Sequence, residues 1–462
     1  MWHVTVAWVF GAAWMFIVSG AALTQFALKL GVTRFGFGLM VALPFAGALL
    51  QIPSSYFVAR YGHRKALLLV SGIVHRALWF AIAAVPWLLP KAWWWPGLLT
   101  LMALASMCAH VMSPAVMSWF ADLIPARIGG RYFSRRNQIG RAVGLVATLV
   151  VSYVLDRAQA AGDQAVLRMA SLALAVAAAC GVIDFLTLTP VPDVIHRPNP
   201  TMSLRRLFRE PLADRNFRRF MGFTATLNLG TIFVWQFIWL YLLKVAGMSN
   251  SRANLLLIVV PLLVSLASFQ LWGRLVDRIG CKASMILAGL LIVHGAAAWI
   301  FVTPRHWVPG YLAVLISTAA WPGVELSSFN IILRMSASHG GRRQGSAYTA
   351  MNSIVVAIAG VLSGLLGGTV AKLLGDWRGS ILGWPLTYHG VLFLISGVLR
   401  LASLGWLIRF EEPRGRTTKA AVQYLMSSIR LHLRRVLQFP VPRLRGEGSP
   451  QTVPPKEATH DE

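Results

Sequence analysis

Charge is scarce in this chain. Of 462 residues only 13% are Asp, Glu, Lys or Arg and 56% are hydrophobic, whereas a soluble domain carries about 25% charged residues. Most of the chain therefore cannot face water. Acids are the scarcest: 16, against 43 Lys and Arg, for a formal charge of +27. In a soluble protein such a surplus points to nucleic acid. Here the bases sit in loops between apolar runs, so membrane topology accounts for them and no nucleic-acid partner is expected. Cysteine is rare as well. Cys108 and Cys180 fall in apolar runs and Cys281 in a basic loop, which excludes a disulfide framework or a zinc site and leaves small packing residues. No Ser-His-Asp arrangement, His-Glu-x-x-His pattern or Walker sequence is present, so neither an enzyme nor a cofactor is expected. Met1-Trp2-His3 also lacks the basic start of a cleaved signal peptide. The first apolar run is therefore expected to remain a membrane helix.

What the chain has in plenty is membrane-length apolar sequence. A bilayer core needs about 20 apolar residues per helix. Twelve such runs lie near 4–28, 37–58, 66–89, 97–121, 138–158, 166–188, 219–243, 254–273, 283–303, 309–334, 345–371 and 387–409. Lipid offers no partner to free backbone groups, so each run is expected to be helical. Alternate loops differ about twofold in Lys and Arg. The rich set includes Arg64, Lys65, Arg135, Arg136, Arg205, Arg206 and Arg278. It is expected to face the cytoplasm, with both termini inside a plasma (inner) membrane. Trp87, Trp93, Trp94 and Trp95 would then belong to the outer aromatic belt. The organisation expected is a first six-helix unit over 1–188, a linker over 189–218, a second six-helix unit over 219–409 and a tail over 410–462. The linker and tail each carry an amphipathic basic segment suited to anionic lipid at the inner leaflet, and the tail ends in a Pro-, Gly- and Glu-containing stretch read as disordered. Gly360, Gly364 and Gly368, and likewise Gly140 and Gly144, are spaced to let a neighbouring helix approach closely.

A short basic turn occurs twice. Ser55-Tyr56-Phe57-Val58-Ala59-Arg60-Tyr61-Gly62-His63-Arg64 aligns without gaps on Gly273-Arg274-Leu275-Val276-Asp277-Arg278-Ile279-Gly280-Cys281-Lys282. Arg60 falls on Arg278, Gly62 on Gly280 and Arg64 on Lys282. The second copy resembles the Gly-x-x-x-Asp-Arg-x-Gly-Arg/Lys loop of the major facilitator superfamily, which joins helices 2 and 3 and again 8 and 9. The first copy departs from it at Ser55 and Ala59, so Asp277 would act without a counterpart. Trp119-Phe120-Ala121-Asp122-Leu123-Ile124-Pro125 and Gly130-Arg131-Tyr132-Phe133 resemble the fourth-to-fifth loop of a broad bacterial group within it, largely of unassigned substrate. The resemblance implies an all-α fold of twelve helices in two pseudo-symmetric six-helix bundles. It also implies gating roles for Arg60, Gly62, Arg64, Asp122, Arg131, Gly273, Asp277, Arg278, Gly280 and Lys282, and a protein that works as a monomer. Run 5 lacks the Gly-Pro motif of drug/proton antiporters.

By the same analogy helices 1, 4, 7 and 10 line a central hollow, and polar residues beside aromatics there are costly unless facing protein or water. The candidates for solute binding are Trp14 and Gln25 on run 1, His110 on run 4, Asn228, Trp235, Gln236 and Trp239 on run 7, and Trp321, Glu325 and Ser328 on run 10. Glu325 is the one acid well inside a run, and in a low-dielectric site its carboxyl could carry a proton. His75 and His294 are expected to be structural. Arg76 and Arg400 must pair with acids or carbonyls, or meet an anionic solute. Without an ATP site, the reading is a secondary transporter of a small molecule working by alternating access, with proton coupling an added expectation. A non-transporting sensor or scaffold of the same fold, and a pump for hydrophobic compounds, are the alternatives.

Overall fold

In lipid a chain must satisfy its own backbone, and the apolar runs do so as helices. The computed structural model of the protein describes residues 1–124, 126–193, 209, 211–303, 306–338, 342–381 and 384–412. The expected amphipathic segments of the linker and of the tail beyond 412 lie outside the described residues, apart from residue 209.

Six spans form the first half. Span 1 is Trp2–Ser19, continued beyond Gly20 by Ala21–Lys29. Span 2 is Arg34–Ala48 and Gln51–Tyr61, span 3 Arg64–Leu88 and span 4 Trp94–Leu123. Span 5 is Ala126–Ala160 and span 6 Asp163–Leu188. The second half repeats the count. Span 7 is Arg215–Ile232 followed by Trp235–Leu240 and a π-helical turn, Tyr241–Val245. Span 8 starts at Asn250–Asn254, passes a π-helical turn and continues as Val260–Ile279. Spans 9 to 12 are Cys281–Ala298, Val308–Ser338, Arg342–Leu374 and Tyr388–Arg409. Among the described residues eleven helices are long and apolar enough to cross a membrane, and span 8, bent by 47°, makes a twelfth if taken as one span. Between spans 11 and 12 a hairpin of β1 (Arg378–Ile381) and β2 (Trp384–Thr387) was not foreseen.

The repeated basic turns have a backbone reason. Span 2 ends at Gly62 with φ +73° and span 8 is followed by Gly280 with φ +90°. Only glycine takes such angles without strain.

Among the described residues three apolar cores hold the spans together. Near the ends that carry Phe26, Phe37, Phe237 and Trp299, one core runs through both halves. Towards the ends that carry Trp119 and Phe410 there are two, one wholly in the first half and one wholly in the second. These are called below the Asn250 end and the Arg64 end. The halves approach most closely where span 2 crosses span 11. A Cβ on Gly364 would lie 2.5 Å from the Gly38 carbonyl oxygen, and one on Gly360 would enter the Phe45 ring. Gly140 and Gly144 serve the same end within the first half, against Trp8 and Phe16 of span 1.

Candidate functional site: the seam between the halves

Spans 1 and 7 are broken at equivalent places in the two halves, and spans 2 and 8 are also interrupted. In span 1 the backbone turns extended at Gly20 (φ −93°, ψ −164°), which frees the amide of Ala21. In span 7 the break is at Phe233–Val234. There the hydroxyl of Ser396 donates to the Gly230 carbonyl at 2.7 Å, and that of Ser363 to Leu229 at 2.9 Å. Buried backbone groups need partners, and in span 1 the partner comes from the opposite half. The Ala21 amide donates to Asn254 Oδ1 of span 8 at 3.0 Å.

Around that bond a polar seal joins spans 1, 5, 7 and 8. Gln25 Nε2 donates to Asn250 Oδ1 at 2.7 Å, and Gln236 Nε2 to Thr24 Oγ1 at 3.0 Å. Asn254 Nδ2 donates to Ser152 Oγ at 2.5 Å, and Asn250 Nδ2 to Gln159 Oε1 at 3.1 Å. At the centre is Asp156 of span 5. Its carboxylate accepts from the amides of Asn250 at 2.6 Å and Ser251 at 3.0 Å. Those amides open span 8 and have no partner within their own helix. A carboxylate from one half therefore caps a helix of the other, where the helix dipole favours negative charge. Asn250 and Asn254 are 0% and 1% exposed, so water does not compete for these bonds. With the pair of Arg34 and Asp376, these bonds join the two halves at this end.

The expected site residues divide. Gln25 and Gln236 belong to the seal. Trp235, 58% exposed, stands just beyond the break in span 7, and Asn228, half-buried, precedes it by about one turn, bonded to the Thr224 carbonyl at 2.8 Å. His110 Nδ1 pairs with Gln51 Nε2 at 2.8 Å, linking spans 4 and 2. Two tryptophans do not line a hollow. Trp239 is 3% exposed, packed in the shared core. Trp14 points into the first half, with the Arg76 guanidinium 3.3 Å over its ring and His75 and Trp79 at its edge. An aromatic ring fills a core as readily as a cavity wall, and here packing won.

On span 10 the inward face is Ala320, Val324, Ser327 and Ile331. Glu325 lies one step round the helix and is exposed, without hydrogen bond or ion pair among the described residues. The burial within protein expected for it is therefore not found. Trp321 and Ser328 are half-buried on its two sides. The buried arginines are partly paired: Arg76 faces Asp184 at 3.6 Å and Arg400 donates to the Ile292 carbonyl at 3.2 Å, while Arg76 Nε and Nη1 and Arg400 Nε have no hydrogen-bond partner among the described residues. His75 accepts from Trp79 Nε1 within span 3.

The residues expected to gate form clamps inside each half. Arg64 of span 3 reaches Asp122 at the end of span 4 at 2.6 Å and also bonds Ser118. Arg60 bonds Tyr56 of its own helix. In the second half Glu412, beyond span 12, accepts from the amides of Cys281 and Lys282, both at 2.9 Å, and pairs with Arg334 at 3.2 Å. Lys282 Nζ returns to the Phe410 carbonyl at 2.7 Å. Gly273 has open space where a side chain would be, and Asp277 and Arg278 lie in the last turn of span 8. Arg131 lies on span 5. Sequence reasoning missed Asp156, Ser152, Gln159, Asn250 and Asn254. The available signal was Asn250 and Asn254 at helical spacing, facing a lone acid near the end of run 5.

Solved structures show the same architecture. A nucleoside transporter, NupG, superposes with a TM-score of 0.63 at 13% identity, over 88% of this chain and 98% of its own. A D-xylose-proton symporter gives 0.66 at 16% identity, over 90% and 99%. A bacterial homologue of the iron transporter ferroportin, in an inward-facing state, gives 0.62 at 13% identity, over 88% and 97%. No curated protein matches the chain in sequence. The profile of the Major Facilitator Superfamily, by contrast, matches residues 4–364. With its twelve spans, paired breaks and basic turns, the chain belongs to the Major Facilitator Superfamily and is a membrane transporter.

Proposed function

We propose that the protein moves a small solute by alternating access, with the path running between the broken spans 1 and 7. One observation carries this reading. The halves share a core and a polar seal at the Asn250 end, and have separate cores at the Arg64 end. A carrier needs such a two-sided arrangement, with irregular backbone only where protein or water can satisfy it. Loops rich in Lys and Arg lie at the Arg64 end, which supports a cytoplasmic side there, in a plasma membrane. The form described is then the one open inward. Gln25, Trp235, Gln236 and Asn228 border the breaks and are the residues placed to meet solute there. A D-xylose-proton symporter of like fold draws on protons, and Glu325, exposed and without a partner among the described residues, is the acid we place in that exchange here.

Purified protein in liposomes, offered tracers from a metabolite panel, tests the reading. Saturable flux of any tracer supports a carrier. A ligand that raises the melting temperature yet never crosses supports a sensor instead. For any tracer carried, E325Q should abolish flux driven by a pH gradient while sparing exchange at equal pH. Full pH-driven flux in that variant rejects Glu325 as the proton carrier.

A further inference from the structure

Beyond the seal, at the Asn250 end, a second feature lies between the halves, bordered by the ends of spans 1 and 7. It is a cavity of about 250 Å³. The first half contributes Arg34; the second contributes Lys244, Asp376, Arg378, Tyr388 and His389. The hairpin sets Arg378 opposite Thr387 at its rim. Three cations therefore face one acid. Arg34 uses its charge on Asp376 and lies 5.1 Å over the Tyr388 ring. Lys244 and Arg378 have neither ion pair nor hydrogen bond among the described residues. His389 is 2% exposed, its ring 3.8 Å from that of Tyr388 and tilted 30° to it, and its buried Nε2 has no partner among the described residues.

Like charges gathered in a half-enclosed site repel unless a counter-charge joins them. A buried ring nitrogen without a partner is costly too. Both are relieved by one kind of occupant. We propose that this cavity binds a small anion bearing a phosphate group. The net +2 of its lining matches a dianion, and its volume admits a phosphate with a short substituent. Arg378 and Lys244 would contact the phosphate oxygens and His389 Nε2 would complete the shell. The cavity lies where spans 2 and 12 begin, at the ends of the membrane-length helices. The phosphate could thus belong to a free solute or to a lipid headgroup. Because both halves line it, the site exists only while this end is closed, and its occupant should stabilise that form.

Thermal unfolding of the purified full chain in a non-ionic detergent tests this. It would be titrated with sodium phosphate against sodium chloride at equal ionic strength, and separately with dihexanoyl phosphatidic acid. A saturable rise in melting temperature is expected. In K244Q/R378Q the half-saturating concentration should increase about tenfold or more, while K91Q, which removes an exposed cation elsewhere, should leave it unchanged. The two substituted side chains are exposed and unpaired, so the fold should survive. A rise with inorganic phosphate assigns the site to a solute; a rise with phosphatidic acid alone assigns it to lipid. No saturable rise with either, or a rise that K244Q/R378Q leaves intact, overturns the proposal.

Discussion

Asp156 holds the most consequential position of any single side chain. It is an acid in a chain with few, and it takes up two amides that span 8 cannot satisfy itself. Asparagine at this position keeps one acceptor and loses the charge. The cost should be about 1–2 kcal/mol, roughly a 5- to 30-fold shift towards the form open at the Asn250 end. A cysteine introduced at Ile258, which packs beside Gly20 just below the seal, reports the shift. In D156N an impermeant maleimide should label it faster by that factor, above the background of Cys108, Cys180 and Cys281. An unchanged rate would mean that Asp156 does not hold the seal. Legibility also divides at this scale. Gln25, Gln236 and His110 stood out because an amide or imidazole inside an apolar run needs a reason. Asp156, Asn250 and Asn254 did not, because polar groups near the ends of runs are cheap and commonplace. Trp14 and Trp239 misled, since a tryptophan against a core and a tryptophan against solute have the same surroundings in sequence.

At the scale of elements, all twelve runs correspond to spans, their bounds shifted by a few residues and by up to about twelve at the start of span 5. Hydropathy reports length in lipid, which is what a span needs. It does not report breaks. Gly20 and Phe233–Val234 lie in segments that stay apolar throughout, so the interruptions in spans 1 and 7 left no mark on composition. The hairpin β1–β2 was hidden for the opposite reason: two strands of four residues are too short for an alternating pattern to register. The glycine spacing on span 11 was legible, and its partner proves to be span 2 of the other half. That contact has no room for a methyl group. Alanine at Gly364 would meet backbone rather than a side chain that can turn aside, so a cost of about 1–3 kcal/mol is expected. G364A should therefore melt at a lower temperature than the parent protein, whereas G405A, where nothing lies within 4 Å, should not. Equal melting of the two variants would contradict the close crossing.

For the molecule as a whole, the distribution of apolar packing explains how one chain can present a path to either side. Cores confined to one half keep each bundle intact at the Arg64 end. The shared core and the seal join the bundles at the Asn250 end, and the hydrogen bonds of the seal are ones that water or solute can replace. The clamps of Arg64 on Asp122 and of Glu412 on the start of span 9 stiffen each half on its own, so that rocking moves bundles and not single helices. The most direct measurement is a pair of spin-label distances in lipid nanodiscs. One pair would sit at Ala161 and Arg252, across the Asn250 end; the other at Tyr61 and Arg274, across the Arg64 end. Two populations are predicted, short at one end whenever long at the other, with D156N moving weight from the first to the second. Distances at the two ends that stay fixed, or that lengthen and shorten together, would contradict alternating access in this protein.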